Sequence, residues 1–237
     1  MATYYGTKGQ KIQALATDPS NLTEGQVWYN STSRTLKVYK SFTNAWSTGG
    51  NLGTSRYVLA GAGTQTAGLA FGGGPPIPTT GNLTEEYDGS SWTAGGNLGT
   101  ARDTLAGAGT QTSGLAFGGR PGAGPQSNST EEYDGSTWTA GGNLATARES
   151  LAGCGTQTSG LAFGGYSGTP PNSVATEEYD GSTWTAGGNM TTGRNDLAGL
   201  GTQTAGLAFG GGVPPITAAT EEFNGGTVTV VSTIAQT

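Results

Sequence analysis

The chain has 237 residues, 45 of them Gly and 10 Pro, and carries 16 acidic against 10 basic groups for a net charge of -6. Leu, Ile, Val and Phe total only 34, below the ~20% at which large apolar side chains alone build a globular core. There is no His and a single Cys, Cys154, which excludes Ser-His-Asp and Cys-His catalysis, nearly all zinc and copper sites, and any intrachain disulfide. No stretch approaches the ~20 apolar residues that span a bilayer, so membrane insertion is not expected. Collagen is excluded because Gly does not recur at every third position. The start, MATYYGTKGQ, lacks the apolar run of a secretory signal, so folding in a cytoplasm is expected.

In chain order, residues 1–10 read as a short N-terminal arm. Residues 11–56 hold four strand-like segments, KIQALA, GQVWYN, TLKVYK and NAWSTGG, which end at Trp46 and Arg56. From Tyr57 onward a period of 46 governs the chain. Gly-Thr-Gln-Thr starts at Gly63, Gly109, Gly155 and Gly201, and Arg56, Arg102, Arg148 and Arg194 keep the same step. Trp46, Trp92, Trp138 and Trp184 do so too, as do Tyr87, Tyr133 and Tyr179. The repeats are 57–102, 103–148, 149–194 and 195–237.

Within the first repeat, strands are expected at about Tyr57–Thr64, Ala67–Phe71, Thr84–Asp88 and from Trp92 to Gly95-Gly96. Leu69 and Phe71 share a face at period two, and Asp88-Gly89 is a hairpin turn signal. Gly interrupts every helical window. Four strands per repeat, repeated, predict an all-β fold: a β-propeller of four-stranded blades. Residues 11–56 in register favour five blades with a divergent first one. The alternative is four blades plus an N-terminal attachment module. Thr227–Ile234 is expected to complete the last blade.

Small residues let blades approach, so Tyr87, Trp92, Tyr133, Trp138, Tyr179 and Trp184 are the expected structural core, each burying roughly 150–250 Å². The repeated Arg and Gln are expected to bond backbone carbonyls or the acids of a neighbouring repeat. Thr-Glu-Glu-Tyr-Asp recurs once per repeat. It could supply paired carboxylates for glycoside hydrolysis or a calcium site. Because identical acids in every blade leave no asymmetric site, they are read instead as edge charge that keeps strands from pairing. No catalytic residue, metal or cofactor is expected.

Variation is confined to one loop per repeat: 74–83, 120–129, 166–175 and 212–219. Each joins the second strand to the third, so all should leave the same face, and variation on one face of a repeat array marks a binding surface. The candidates are Pro75, Pro76 and Ile77; Arg120, Pro121, Gln126 and Asn128; Tyr166, Pro170, Pro171 and Asn172; and Val213, Pro214, Pro215 and Ile216. Charge is also uneven. Residues 1–40 carry a net +3, while the remainder carries -9. Lys8, Lys11, Lys37 and Lys40 therefore mark an end suited to docking on an acidic surface, and the acidic remainder disfavours nucleic acid.

Two resemblances follow from these residues. Gly72-Gly73, Tyr87, Trp92 and Arg102, with their counterparts Gly118-Gly119, Tyr133, Trp138, Arg148 and Gly164-Gly165, Tyr179, Trp184, Arg194, resemble the kelch motif. The last repeat keeps Gly210-Gly211 but carries Phe223 for Tyr and Val228 for Trp. The stretch NLTEGQVWYNSTSRTLKVYKSFTNAW, residues 21–46, is similar to a module near the start of virion structural proteins of marine bacteriophages, cyanophages especially. Such chains also carry kelch-like repeats. That resemblance implies a virion component such as a tail fibre, tail tip or decoration. It further implies assembly in the bacterial cytoplasm, several copies on the particle or a homo-oligomer, other virion proteins as partners, and a host surface glycan or protein as a further contact.

Overall fold

The 46-residue period becomes a run of nearly identical antiparallel sheets. The computed structural model describes residues 4–5, 11–39, 46–74, 81–122, 124–212 and 216–225. It divides into two compact units, residues 1–48 and 49–237. Among the described residues every regular element is a strand.

In the first unit, β1 (Tyr4–Tyr5), β2 (Lys11–Leu15), β3 (Val27–Asn30) and β4 (Thr35–Val38) form one sheet in that order. The pair β2–β3 is parallel, whereas the repeats to come are antiparallel throughout. This sheet therefore differs in topology from those of the repeats. Asp18 anchors it, accepting from Trp28 Nε1 at 3.0 Å, Asn30 Nδ2 at 2.7 Å and Lys37 Nζ at 2.6 Å. Those bonds, with that from Lys37 the strongest, draw its carboxyl down to about 2. Trp46, expected in a strand in register with the other tryptophans, lies outside any strand and is fully exposed.

The second unit holds four sheets. The first is β5 (Ala60–Thr64), β6 (Ala67–Phe71), β7 (Thr84–Tyr87) and β8 (Trp92–Ala94). The second is β9 (Ala106–Thr110), β10 (Ser113–Phe117), β11 (Thr130–Tyr133) and β12 (Trp138–Ala140). The third is β13 (Ala152–Thr156), β14 (Ser159–Phe163), β15 (Thr176–Tyr179) and β16 (Trp184–Ala186). The fourth contains β17 (Ala198–Thr202), β18 (Ala205–Phe209) and β19 (Thr220–Asn224). Neighbours in each sheet follow chain order. The expected last strand, Thr227–Ile234, lies outside the described residues.

The first strand of each repeat starts three residues later than the sequence suggested. Val58 has φ 51°, and Thr104, Ser150 and Asp196 have 52°, 52° and 50°. A left-handed side-chain-bearing residue costs about 1–2 kcal/mol and breaks the strand. Inter-repeat bonds offset that cost. Thr104 N donates to Val58 O at 3.0 Å, Ser150 N to Thr104 O at 2.8 Å, and Asp196 N to Ser150 O at 2.9 Å.

The core sits between sheets. Strand β5 packs on β9, β9 on β13, and β13 on β17. The Phe71 ring lies across Gly107, where a Cβ would come within 2.5 Å of it, and Phe117 lies across Gly153 in the same way. No larger residue fits there. The Trp138 indole then packs in tilted contact with Phe71 and Tyr133, each at 4.9 Å, and donates from Nε1 to Thr84 Oγ1 at 2.9 Å. Trp184 does the same with Phe117, Tyr179 and Thr130. The arrangement is propeller-like; among the described residues β17 has no packing on β5 comparable to that between successive sheets.

Candidate functional surface

The first Glu of the first three runs is buried, which corrects the edge-charge expectation for Glu85, Glu131 and Glu177. Glu131 is buried and accepts from Arg102 Nη2 at 2.9 Å and from Gly99 N at 2.6 Å. Glu177 accepts from Arg148 and Ala145, and Glu85 from Arg56 and Gly53. In the first two runs the second Glu also bonds across repeats: Tyr133 OH donates to Glu86, and Tyr179 OH to Glu132 at 2.5 Å. The Asp closes its turn. Asp134 accepts from Ser136 N and Thr137 N, and such bonds hold Asp134 and Asp180 at about 2. Among the described residues no three acidic or sulfur side chains converge to hold a metal. Cys154 is buried, and desolvation pushes its thiol up to about 11.

The arginines do more than balance charge. Arg102 Nη1 donates to Gly118 O at 3.1 Å and Ser129 O at 2.7 Å, the two feet of the second variable loop. Arg148 clamps Gly164 O and Ala175 O in the third, and Arg194 clamps Gly210 O and Ala219 O in the fourth. Arg56 holds Gly72 O and Leu83 O in the first. Burial pulls the Arg102 and Arg148 guanidinium pKa values down, against the Glu131 and Glu177 charges. Gln111 Nε2 donates to Gly68 O and Tyr87 O of the preceding repeat, and Gln157 and Gln203 repeat the pattern.

Tyr133 and Tyr179 are fully buried, and burial, reinforced by Glu86 and Glu132, raises both phenols to about 12. The ordinary value is 10.0. Because the folded pKa is raised, their stabilising effect is complete below the unfolded value and is lost as pH rises through the folded one. Alkaline titration followed by tyrosinate absorbance should show two tyrosines ionising last, together with loss of the β circular-dichroism signal.

With each loop pinned at its feet, the body of the loop is free to differ. Several of the predicted residues serve to order it. Gln126 Nε2 donates to Glu149 Oε1 at 3.0 Å in the next repeat. At the equivalent position, Asn172 Nδ2 donates to Asn195 Oδ1 and Gly212 O. Asn128 holds Leu144 O. Arg120 pairs in the backbone with Asp103, and its Nε lies 3.8 Å from Asp103 and 3.4 Å from Glu149. Tyr166, half-buried, pairs with Glu149. Pro170, Pro171 and Ile216 are exposed, and Pro121 is half-buried. Pro75, Pro76, Ile77, Val213, Pro214 and Pro215 lie outside the described residues. So do Lys8 and Lys40 and the side chain of Lys11, while Lys37 is engaged by Asp18.

One part of the surface escaped the sequence reading. The bridges Tyr57–Gly74, Asp103–Arg120, Glu149–Tyr166 and Asn195–Gly212 tie each loop to the dipeptide leading into the first strand. Those dipeptides, Tyr57-Val58, Asp103-Thr104, Glu149-Ser150 and Asn195-Asp196, differ in every repeat, although an invariant Arg precedes and Leu-Ala follows each. That local variation was the available signal. The surface therefore grades along the array from apolar Tyr57 and Val58, through the Asp103–Arg120–Glu149 charge cluster, to Asn195 and Asp196. The opposite end carries near-invariant Thr-Gln-Thr and Asp-Gly turns.

A cavity of about 120 Å³ lies between the third and fourth repeats, lined by Phe163, Thr176, Met190, Glu221 and Phe223 among others. It occupies the place that Trp138 and Trp184 fill at the earlier interfaces. The sequence has Val228 in that register, outside the described residues.

No protein-family model matches the chain, and no curated protein matches it.

Proposed function

We propose that this chain is a non-enzymatic structural protein of a phage virion, a kelch-like β-propeller-type array displayed on a tail fibre or tail tip and contacting the host surface. The single observation that carries the reading is the separation of a repeated framework from one variable end. The arginine clamps hold every loop by the same two feet, while the loops and their bridged dipeptides differ from repeat to repeat. That organisation suits a recognition surface for a cell-surface glycan or protein. The engagement of the repeated acids with Arg, Tyr and backbone N–H groups favours a binding role over glycoside hydrolysis. The resemblance of residues 21–46 to phage virion modules supplies the virion part, and the basic N-terminal segment suits docking on other virion proteins.

Replacing the loop bodies 121–126 and 167–172 with Gly-Ser segments of equal length should abolish adsorption to host cells. The clamps stay in place, so the melting temperature should fall by only a few degrees. Full adsorption by this variant would overturn host recognition and favour the second reading, a decoration or connector protein whose contacts are all within the particle.

A further inference from the structure

The contacts between successive repeats are all made by one face of the earlier repeat and a different face of the later one. Each internal interface therefore leaves its complement at the two ends of the array. The first repeat keeps every residue of the later-type face. It has Gln65 where Gln111, Gln157 and Gln203 bond backward, Trp92 where Trp138 and Trp184 insert, Tyr87 where Tyr133 and Tyr179 donate, and Gly61 where Gly107 lies under a Phe ring. Gln65 is exposed, and Tyr57 and Val58 at the other end of β5 are 61% and 40% exposed.

The fourth repeat keeps the strand residues of the earlier-type face, although the Arg that ends each earlier repeat (Arg102, Arg148, Arg194) has no counterpart in it. Phe209 stands where Phe71, Phe117 and Phe163 are buried, yet it is 36% exposed. Thr220 stands where Thr84 and Thr130 accept the indole N–H, yet it is exposed. Leu200 is 54% exposed, although Ala108 and Cys154 at the same position are buried. Glu222, Gly206 O, Phe223 O and Asp196 O complete the set by register.

Among the described residues these faces do not meet, because β17 has no comparable packing on β5. A head-to-tail interface of this kind propagates from copy to copy, giving rings where the rotation closes and filaments where it does not. Solenoid arrays otherwise end in atypical polar caps, whereas Phe209 and Leu200 at one end and Trp92 and Gln65 at the other retain the contact residue types.

We propose that copies of this chain associate head to tail, with the first repeat of one copy continuing the array after the fourth repeat of another. In that contact Trp92 stacks on Phe209 and donates from Nε1 to Thr220. Gln65 donates to Gly206 O and Phe223 O, Tyr87 donates to Glu222, and Val58 N donates to Asp196 O. The interface repeats the one between β5 and β9, and it is independent of the virion role.

The test is sedimentation velocity of the full chain over a wide concentration range. The wild type should exceed its monomer mass of 23.6 kDa as concentration rises. Trp92→Ala and Phe209→Asp should each weaken association about thirtyfold or more, as loss of a central aromatic contact does. Circular dichroism should confirm that both variants fold. Mixed together, the two variants each retain one intact face, so they should form a one-to-one complex that grows no further. A wild type that stays monomeric at every concentration would overturn the proposal, as would oligomers indifferent to both substitutions.

Discussion

Arg148→Met is expected to lower the unfolding free energy by about 3–5 kcal/mol, the cost of removing one partner of a buried ion pair. The Arg148 side chain is fully buried, and that of Glu177 is 4% exposed. The substitution leaves the Glu177 carboxylate in the core with only the Ala145 N–H as donor. It also removes the Arg donor from Gly164 O and Ala175 O, leaving Ala175 O with the Gly164 N–H alone, so the third loop loses both of its clamps. The double variant Arg148→Met with Glu177→Gln should recover part of the loss, because no uncompensated charge remains. Urea denaturation of the three proteins checks this. A single variant within about 1 kcal/mol of wild type would mean that the Arg–Glu pair is not the framework bond described here.

Trp138→Ala should cost about 3–5 kcal/mol, the range for emptying a large aromatic site in a core. The indole fills the space between Phe71 and Tyr133, and its loss leaves the buried Thr84 hydroxyl without its donor. Trp46→Ala is the informative comparison. Trp46 sits at the same 46-residue step but is fully exposed, so its removal should change stability by no more than about 0.5 kcal/mol. Equal losses at the two sites would place Trp46 in a core and favour the first segment as a divergent blade.

That contrast shows what periodicity can and cannot reveal. Ala67–Phe71 is a strand over those same residues because alternation and the flanking Gly72-Gly73 leave little choice. The tetrad Gln and the Arg were legible as backbone ligands because an invariant polar residue in a Gly-rich chain needs an invariant partner. The fate of the acids was not legible. Glu85 looks like surface charge until Arg56, 29 residues earlier, is brought to its Oε1 at 3.0 Å. The late strand starts were hidden as well, because Val58 is a strong strand former and nothing local announces its left-handed backbone. Register placed Trp46 in a blade, yet β2 and β3 pair in parallel in that unit, a topology no antiparallel repeat can share. Closure, finally, depends on the rotation accumulated between sheets, which no residue pattern encodes.

The candidate surface was half legible. Loop variation located it, and Arg120, Gln126 and Asn172 do lie there, but their bonds to Asp103, Glu149 and Asn195 join them to a second variable row. Recognition by this surface would then read loop and dipeptide together.

The most direct test of the virion role is immunogold electron microscopy of purified phage particles with antibody raised against residues 49–237. Label at fibre or tail ends is the expected result. Absence of label from every particle would contradict the virion assignment itself.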